Sequence, residues 1–225
     1  MFIGHYAVAL AAKKAAPHTS LGTLILSAQF LDLLWPILLL AGVEHVRIAP
    51  GITPFTPLEF YDYPITHSLL MACVWGGVAA AIYFVRKRDR IASIVLALCV
   101  VSHWVLDFVS HRPDMPLVPG LHKYVGLGLW YSPAATIAVE LVLFAIGCAL
   151  YFSTTRAKDR TGSISVAAFL GFLLLTYLMN ARGDAPPSVP ALAWVSLSLW
   201  LLAPWGHWID RHRETKSPIA RTASA

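Results

Sequence analysis

The sequence predicts an all-α polytopic membrane protein, a helix bundle of about six transmembrane helices preceded by a shorter, half-membrane N-terminal helix. Three observations carry this. Of the 225 residues, 57% are hydrophobic and only 13% charged, against about 25% charged in a soluble domain. The apolar residues gather into six runs near the ~20 residues that a helix needs to cross a bilayer. The basic residues concentrate in alternate connections between those runs.

The runs cover residues 20–43, 67–85, 91–111, 133–152, 164–180 and 190–209. The fifth is the shortest and calls for little tilt or a locally thinner bilayer. Residues 1–210 form one transmembrane domain, and 211–225 a polar, loose tail. Lys13 and Lys14, the group Arg86, Lys87, Arg88 and Arg90, the group Arg156, Lys158 and Arg160, and Arg211, Arg213, Lys216 and Arg221 all fall on one side. That is thirteen basic residues against four (Arg47, Arg112, Lys123 and Arg182) on the other. The positive-inside rule places both termini in the cytoplasm. The same asymmetry accounts for the formal charge of +5 by membrane orientation, and no nucleic-acid partner is expected. The bilayer itself is the expected partner.

Cys73, Cys99 and Cys148 each lie in an apolar run with no C-x-x-C pair, which reads as small core residues and not as a disulfide or thiolate framework. No cleavable leader is expected, because Lys13 and Lys14 follow the first apolar stretch instead of preceding it. Residues 3–16 read as a helix and 17–20 as a turn. Fourteen residues are too few to cross. Packed as an αα-hairpin on the first run, this helix starts near mid-membrane and carries His5 there. The outer connections 44–66 and 112–132 are long and rich in Pro, Gly and aromatics, a composition that suits either lids over a site or an interfacial aromatic belt.

Ionisable groups inside a span cost about 2.5–3.5 kcal/mol each on insertion scales and are functional candidates by default. They are Asp32, His103, Asp107 and Glu140, joined by His5 through the hairpin. At ~1.5 Å rise per residue, Asp32, His103 and Glu140 reach similar depths, with Asp107 and then His67 nearer the outer face. The densest pattern is Ser102-His103-Trp104-Val105-Leu106-Asp107-Phe108-Val109-Ser110-His111. His103, Asp107 and His111 recur every four residues and share a helical face, the spacing that lets one helix give two ligands to a metal. His and carboxylate suit zinc, manganese or iron; a buried His–Asp pair that glues helices is the structural alternative. His67, in Thr66-His67-Ser68, is either a ligand facing into the bundle or an interfacial residue. Gln29, one turn before Asp32, is placed to orient its carboxylate. Glu140 is open to three roles: ligand, general base or packing group. His207, beside Asp210, reads as interfacial.

In chain order, Gly4-His5-Tyr6, Phe30-Leu31-Asp32-Leu33-Leu34-Trp35-Pro36, Thr66-His67-Ser68 and Ser102-His103 with Asp107 resemble the bacterial inner-membrane family described as membrane-bound metal-dependent hydrolases of the LexA-regulated type. The likeness spans roughly residues 5–132. It implies a metal site made by His5, Asp32, His67, His103 and Asp107. Where relatives are expected to carry P-D-x-D in the first span, this chain has Asp32 alone, so a two-metal site lacks one carboxylate. The leading expectation is a hydrolase with a divalent metal, zinc first. Asp107 or Glu140 handles protons, and a lipid or lipid-linked ester or phosphoester is the substrate. An ion-coupled transporter using the same Asp, His and Glu groups, or a non-catalytic assembly protein, are the alternatives.

Overall fold

The computed structural model describes residues 1–216. Arg221 and the rest of the expected tail beyond residue 216 lie outside them. The chain is all-α, with short two-stranded hairpins in its connections. Five helices are long and apolar enough to cross a membrane, or six if one bent pair counts as a single span.

The first helix, α1 (Ile3–Ala15), is followed by the bent pair α2 (Leu21–Ala28) and α3 (Phe30–Leu40), which turn by 56° at Gln29. The first run, expected over 20–43, is therefore two helices. A short α4 (Pro64–His67) leads into α5 (Leu69–Lys87), and Arg88 in the left-handed conformation (φ 57°) reverses the chain into α6 (Arg90–Ser110). Then come α7 (Pro133–Thr154) and α8 (Arg160–Asn180). The fifth run is longer than its apolar stretch because the Asp159 side chain accepts from the Gly162 N–H and starts the helix at Arg160, a normal N-cap. The last run is α9 (Val189–Leu197) and α10 (Leu202–Arg211), joined by a 3₁₀ turn.

Helix α1 sits inside the bundle, most extensively against α7 and also against α2 and α6. Small residues permit this. A Cβ on Gly147 would lie 2.5 Å from the Ala7 carbonyl oxygen, so α1 and α7 touch backbone to side. Gly22 and Gly206 do the same for α2 and α10, where a Cβ on Gly22 would come within 2.4 Å of the Ala203 carbonyl oxygen. Close approach through glycine is how apolar helices associate without a solvent-driven force. The outward faces of α5 and α6 expose Leu70, Val74, Val78, Ile82, Ile91, Ile94 and Leu98, as a lipid-facing surface requires. Cys73, Cys99 and Cys148 are free thiols.

At one end of the bundle, strands β1 (His45–Ile48) and β2 (Leu58–Asp62) pair antiparallel and organise the 44–66 connection. Strands β3 (Met115–Pro116) and β4 (Tyr124–Val125) do the same for 112–132. At the opposite end, β5 (Thr155–Ala157) pairs with β6 (Arg213–Thr215). The chain after Ile209 is thus not loose up to Thr215. Arg213 is buried, donates to Thr155 Oγ1 and the Gly162 carbonyl, and lies over the Tyr151 and Phe152 rings. Asp159 pairs with His212 at 2.8 Å, and that ring together with the Gly162 N–H holds its carboxyl below the usual range. Lys13 is no free surface charge either. It is buried, and its Nζ donates to the Thr19 carbonyl and to Asp210. Asp210 therefore serves Lys13, while His207 lies against Gly22.

Candidate metal centre

Five of the six singled-out residues meet at one point. His103 and Asp107 stand one turn apart on α6, both buried. Asp32 lies in the first turn of α3, immediately after the bend, where a helix N-terminus favours a carboxylate. His67 closes α4. His5 comes from the first turns of α1.

The distances are those of ligands around a common centre. His103 Nε2 is 3.2 Å from Asp107 Oδ2 and 3.6 Å from Asp32 Oδ1. His67 Nε2 is 3.5 Å from Asp32 Oδ1 and 3.8 Å from Asp107 Oδ2. An ion held tetrahedrally at ~2.0–2.2 Å separates neighbouring ligand atoms by about 3.3–3.6 Å. Asp32, His67 and His103 present ligand atoms all within 4.8 Å of one another, and so do His5, His103 and Asp107. Despite its proximity to two carboxylates, His103 Nε2 is buried with no hydrogen-bond partner among the described residues. A buried polar atom is rarely left this way without a reason. This donor set fits a divalent cation of the zinc type.

The rear of each ring is also committed. His103 Nδ1 lies 2.8 Å from the Ala28 carbonyl oxygen. That oxygen is available because α2 ends there, and the last carbonyls of a helix have no partner within it. A carbonyl only accepts, so Nδ1 carries the proton and Nε2 faces Asp32 and Asp107. His67 Nδ1 lies 2.7 Å from Thr66 Oγ1, which in turn lies 2.6 Å from Glu44 Oε2. Metal-binding histidines carry such a partner on their second nitrogen.

His5 takes a different position. Its ring stacks on His103 with centroids 3.6 Å apart and planes at 2°, while its Nε2 is 3.2 Å from Asp107 Oδ1. Lone pairs of parallel stacked rings run side by side, so one ion cannot lie in both ring planes. His5 and the Met1 nitrogen, which also pairs with Asp107 Oδ1, occupy the other side of the Asp107 carboxylate.

Glu140 stands apart from these ion-pair contacts. Its Oε2 accepts from the Phe2 and Gly4 N–H groups at 2.8 and 3.1 Å. It therefore caps α1 and pins the turn that carries His5, while Oε1 is buried without a partner among the described residues. Glu140→Ala is expected to cost about 1–3 kcal/mol for each orphaned donor. Thermal melting together with hydrogen exchange at Phe2 to Tyr6 checks this: faster exchange there and a lower midpoint are expected, with Glu140→Gln retaining most of the wild-type behaviour.

A cavity of about 580 Å³ opens above the cluster, within the ~300–1,000 Å³ usual for small-molecule sites. Asp32, His67, Asp107 and Glu140 are at its base, with aromatic walls of Trp35, Phe55, Phe60, Trp130 and Tyr177. The long connections thus cover the site through Phe55, Phe60 and Trp130. One flank is α9, through Leu192 and Val195, and Val195 is largely exposed on the outside of the bundle.

Sequence reasoning missed Glu44, placed only as a loop boundary, and the role of Thr66, seen only as a neighbour of His67. A carboxylate 22 residues from its partner leaves no local signal. His111 also lines the cavity, with Nδ1 held 3.0 Å from Asp114 Oδ1 and its ring on Trp130. Asp114, three residues past His111, was the readable clue. Gln29 does not orient Asp32: it sits at the bend, and its side-chain amide has no hydrogen-bond partner among the described residues. Compared with models of known protein families, with curated proteins and with solved structures, the chain gives no match.

Proposed function

We propose that the protein is a membrane-embedded, metal-dependent hydrolase acting on a lipid or lipid-linked ester or phosphoester. The observation that carries the reading is the pair of buried histidines whose Nε2 atoms face Asp32 and Asp107 at ligand-to-ligand spacing. Buried charges without a counter-ion are costly, and a divalent cation balances this set. The likeness to the LexA-regulated, membrane-bound metal-dependent hydrolases agrees with it. In this reading Asp32, His67, His103 and Asp107 hold the ion, zinc by preference, and His5 steadies Asp107 from its far side.

When bound, such an ion supplies a Lewis acid that polarises oxygen and makes water acidic near neutral pH. The chain's own residues supply the rest. The aromatic walls and α9 take the apolar part of the substrate and exclude bulk water. Glu140 Oε1, free and at the cavity base, receives the proton of the attacking water. The water oxygen then bonds to the acyl carbon or phosphorus, the bond from that centre to the leaving oxygen breaks, and Glu140 returns the proton to that oxygen. Between the cluster and the β5–β6 end, Tyr6, Leu10, Leu24 and Ile25 are at most 2% exposed, which supports a one-sided pocket over a conduit for ions.

Six spans, with α2 and α3 as one broken crossing, an α1 that begins at mid-depth with Met1 beside Asp107, and the α1–α2 turn and the β5–β6 end at the cytoplasmic face of an inner membrane complete the proposal. The basic residues near β5, β6 and the α5–α6 turn support that orientation. Elemental analysis of purified protein tests the metal, and release of product from lipid esters and phosphoesters in proteoliposomes tests the activity. Near-stoichiometric metal and chelator-sensitive turnover are expected. Metal-free protein after purification without chelators overturns the reading.

A further inference from the structure

Thr66 Oγ1 has one proton and two neighbours, Glu44 Oε2 at 2.6 Å and His67 Nδ1 at 2.7 Å. Glu44 is fully buried, and its Oε1 accepts from the Ile65 and Thr66 N–H groups at 2.7 and 2.8 Å. With Oε1 taken up by two N–H groups, Oε2 is the atom that meets the Thr66 hydroxyl, and a carboxylate oxygen accepts. The Thr66 proton therefore points to Glu44. The Thr66 oxygen then has to accept from His67, so the imidazole proton sits on Nδ1. Nε2 is left facing Asp32 Oδ1 and Asp107 Oδ2.

We propose that Glu44 and Thr66 are positioning residues of the metal centre: the direction of the Glu44–Thr66–His67 hydrogen-bond chain places the proton on Nδ1 and so turns a bare Nε2 toward the ion. This rests on the metal reading given above. It is independent of α6, because Glu44 and Thr66 belong to the outer connection and to α4, whereas His103 is set by the bend at Gln29. Two unrelated pieces of chain thus orient the two histidines in the same sense. The Glu44 backbone is fixed as well, its N–H donating to the Leu38 carbonyl at the end of α3, so the chain of bonds ties α3, α4 and the ion ligands together.

The direction can be reversed without changing shape. In Glu44→Gln, the two backbone N–H groups that meet Oε1 require the amide oxygen there, so the amide NH₂ faces Thr66. Thr66 then accepts from Gln and turns its own proton to His67 Nδ1. That nitrogen must be bare, and the imidazole proton moves to Nε2, where it blocks the ion. The test uses full-length protein in detergent. Nitrogen-15 spectra of the metal-free protein report whether His67 Nδ1 is protonated, and competition with a chromophoric chelator gives Co²⁺ affinity. Wild type is expected to carry the proton on Nδ1. Glu44→Gln is expected to lose it from Nδ1 and to bind Co²⁺ at least tenfold more weakly, within the 10–100-fold usual for such partners. Thr66→Ser is expected within twofold of wild type and Thr66→Val at least tenfold weaker. A proton still on Nδ1 in Glu44→Gln, or equal Co²⁺ affinity in Thr66→Ser and Thr66→Val, overturns the proposal. If Glu44→Gln does not fold, the Thr66 pair decides. If wild type binds no Co²⁺, the hydrolase reading fails, while the proton position in the metal-free proteins still decides this one.

Discussion

Replacing His103 by alanine is expected to abolish metal binding at the proposed centre. His103 belongs to both ligand groups, and no other imidazole can take its place: His5 is stacked against it, and His67 already faces the same centre. Losing a ligand of this kind should weaken binding at least 100-fold, equivalent to about 2.7 kcal/mol. Two measurements check it. Elemental analysis should fall from near one equivalent to background. Thermal melting should lose its response to chelator, because an ion that binds only the folded state stabilises it by about 2.7 kcal/mol at 100 times its dissociation constant. In wild type a chelator should lower the midpoint; in His103→Ala it should change nothing. A His103→Ala protein with full metal content would remove the centre as described.

Asp107→Ala should be more damaging to the fold. Asp107 is buried and faces His5 and the Met1 nitrogen on one oxygen, and His67 and His103 on the other. Removing it opens a void inside the bundle and leaves the Met1 nitrogen without its buried acceptor, and an orphaned buried donor costs about 1–3 kcal/mol, more when it is charged. Metal loss adds to that. The expected result is a large fall in unfolding midpoint that added metal does not restore. Asp107→Asn separates the two effects. It keeps the volume and an oxygen acceptor, so the fold should largely survive while metal occupancy collapses. Chemical denaturation in detergent with metal analysis on the same samples reads both quantities. A small stability loss in Asp107→Ala would mean that the Asp107 contacts are screened by water and not buried as found.

The helices long and apolar enough to cross a membrane were legible residue by residue. Apolar runs of the right length, each bounded by polar or turn residues, leave little choice in a bilayer, where backbone groups must be satisfied within the helix. His103 and Asp107 were legible for the same reason. Four-residue spacing on one helix is a local property, and a charge inside an apolar run stands out against its surroundings. His5, Asp32 and His67 were legible only as exceptions in their own segments, and the depth estimate that brought them to one layer used nothing beyond a fixed helical rise.

What only the tertiary structure decided are the features set by contacts between distant segments. The bend at Gln29 supplies the Ala28 carbonyl to His103, and no proline or glycine in 28–30 announces it. Glu140, open in sequence to several roles, spends one oxygen capping α1 across 136 residues of chain. The tail that composition alone reads as loose closes a small sheet with β5, because Arg213 finds the Thr155 hydroxyl and the Gly162 carbonyl there. Glu44 carries no local mark at all, yet it reaches His67 through the Thr66 hydroxyl. Sequence by itself determined which segments are long and apolar enough to cross a membrane and which polar residues go with them, since apolar length and the cost of charge in lipid act within a segment. The structure decided which atom of each polar residue faces the centre, since hydrogen-bond direction depends on partners that packing alone brings within reach.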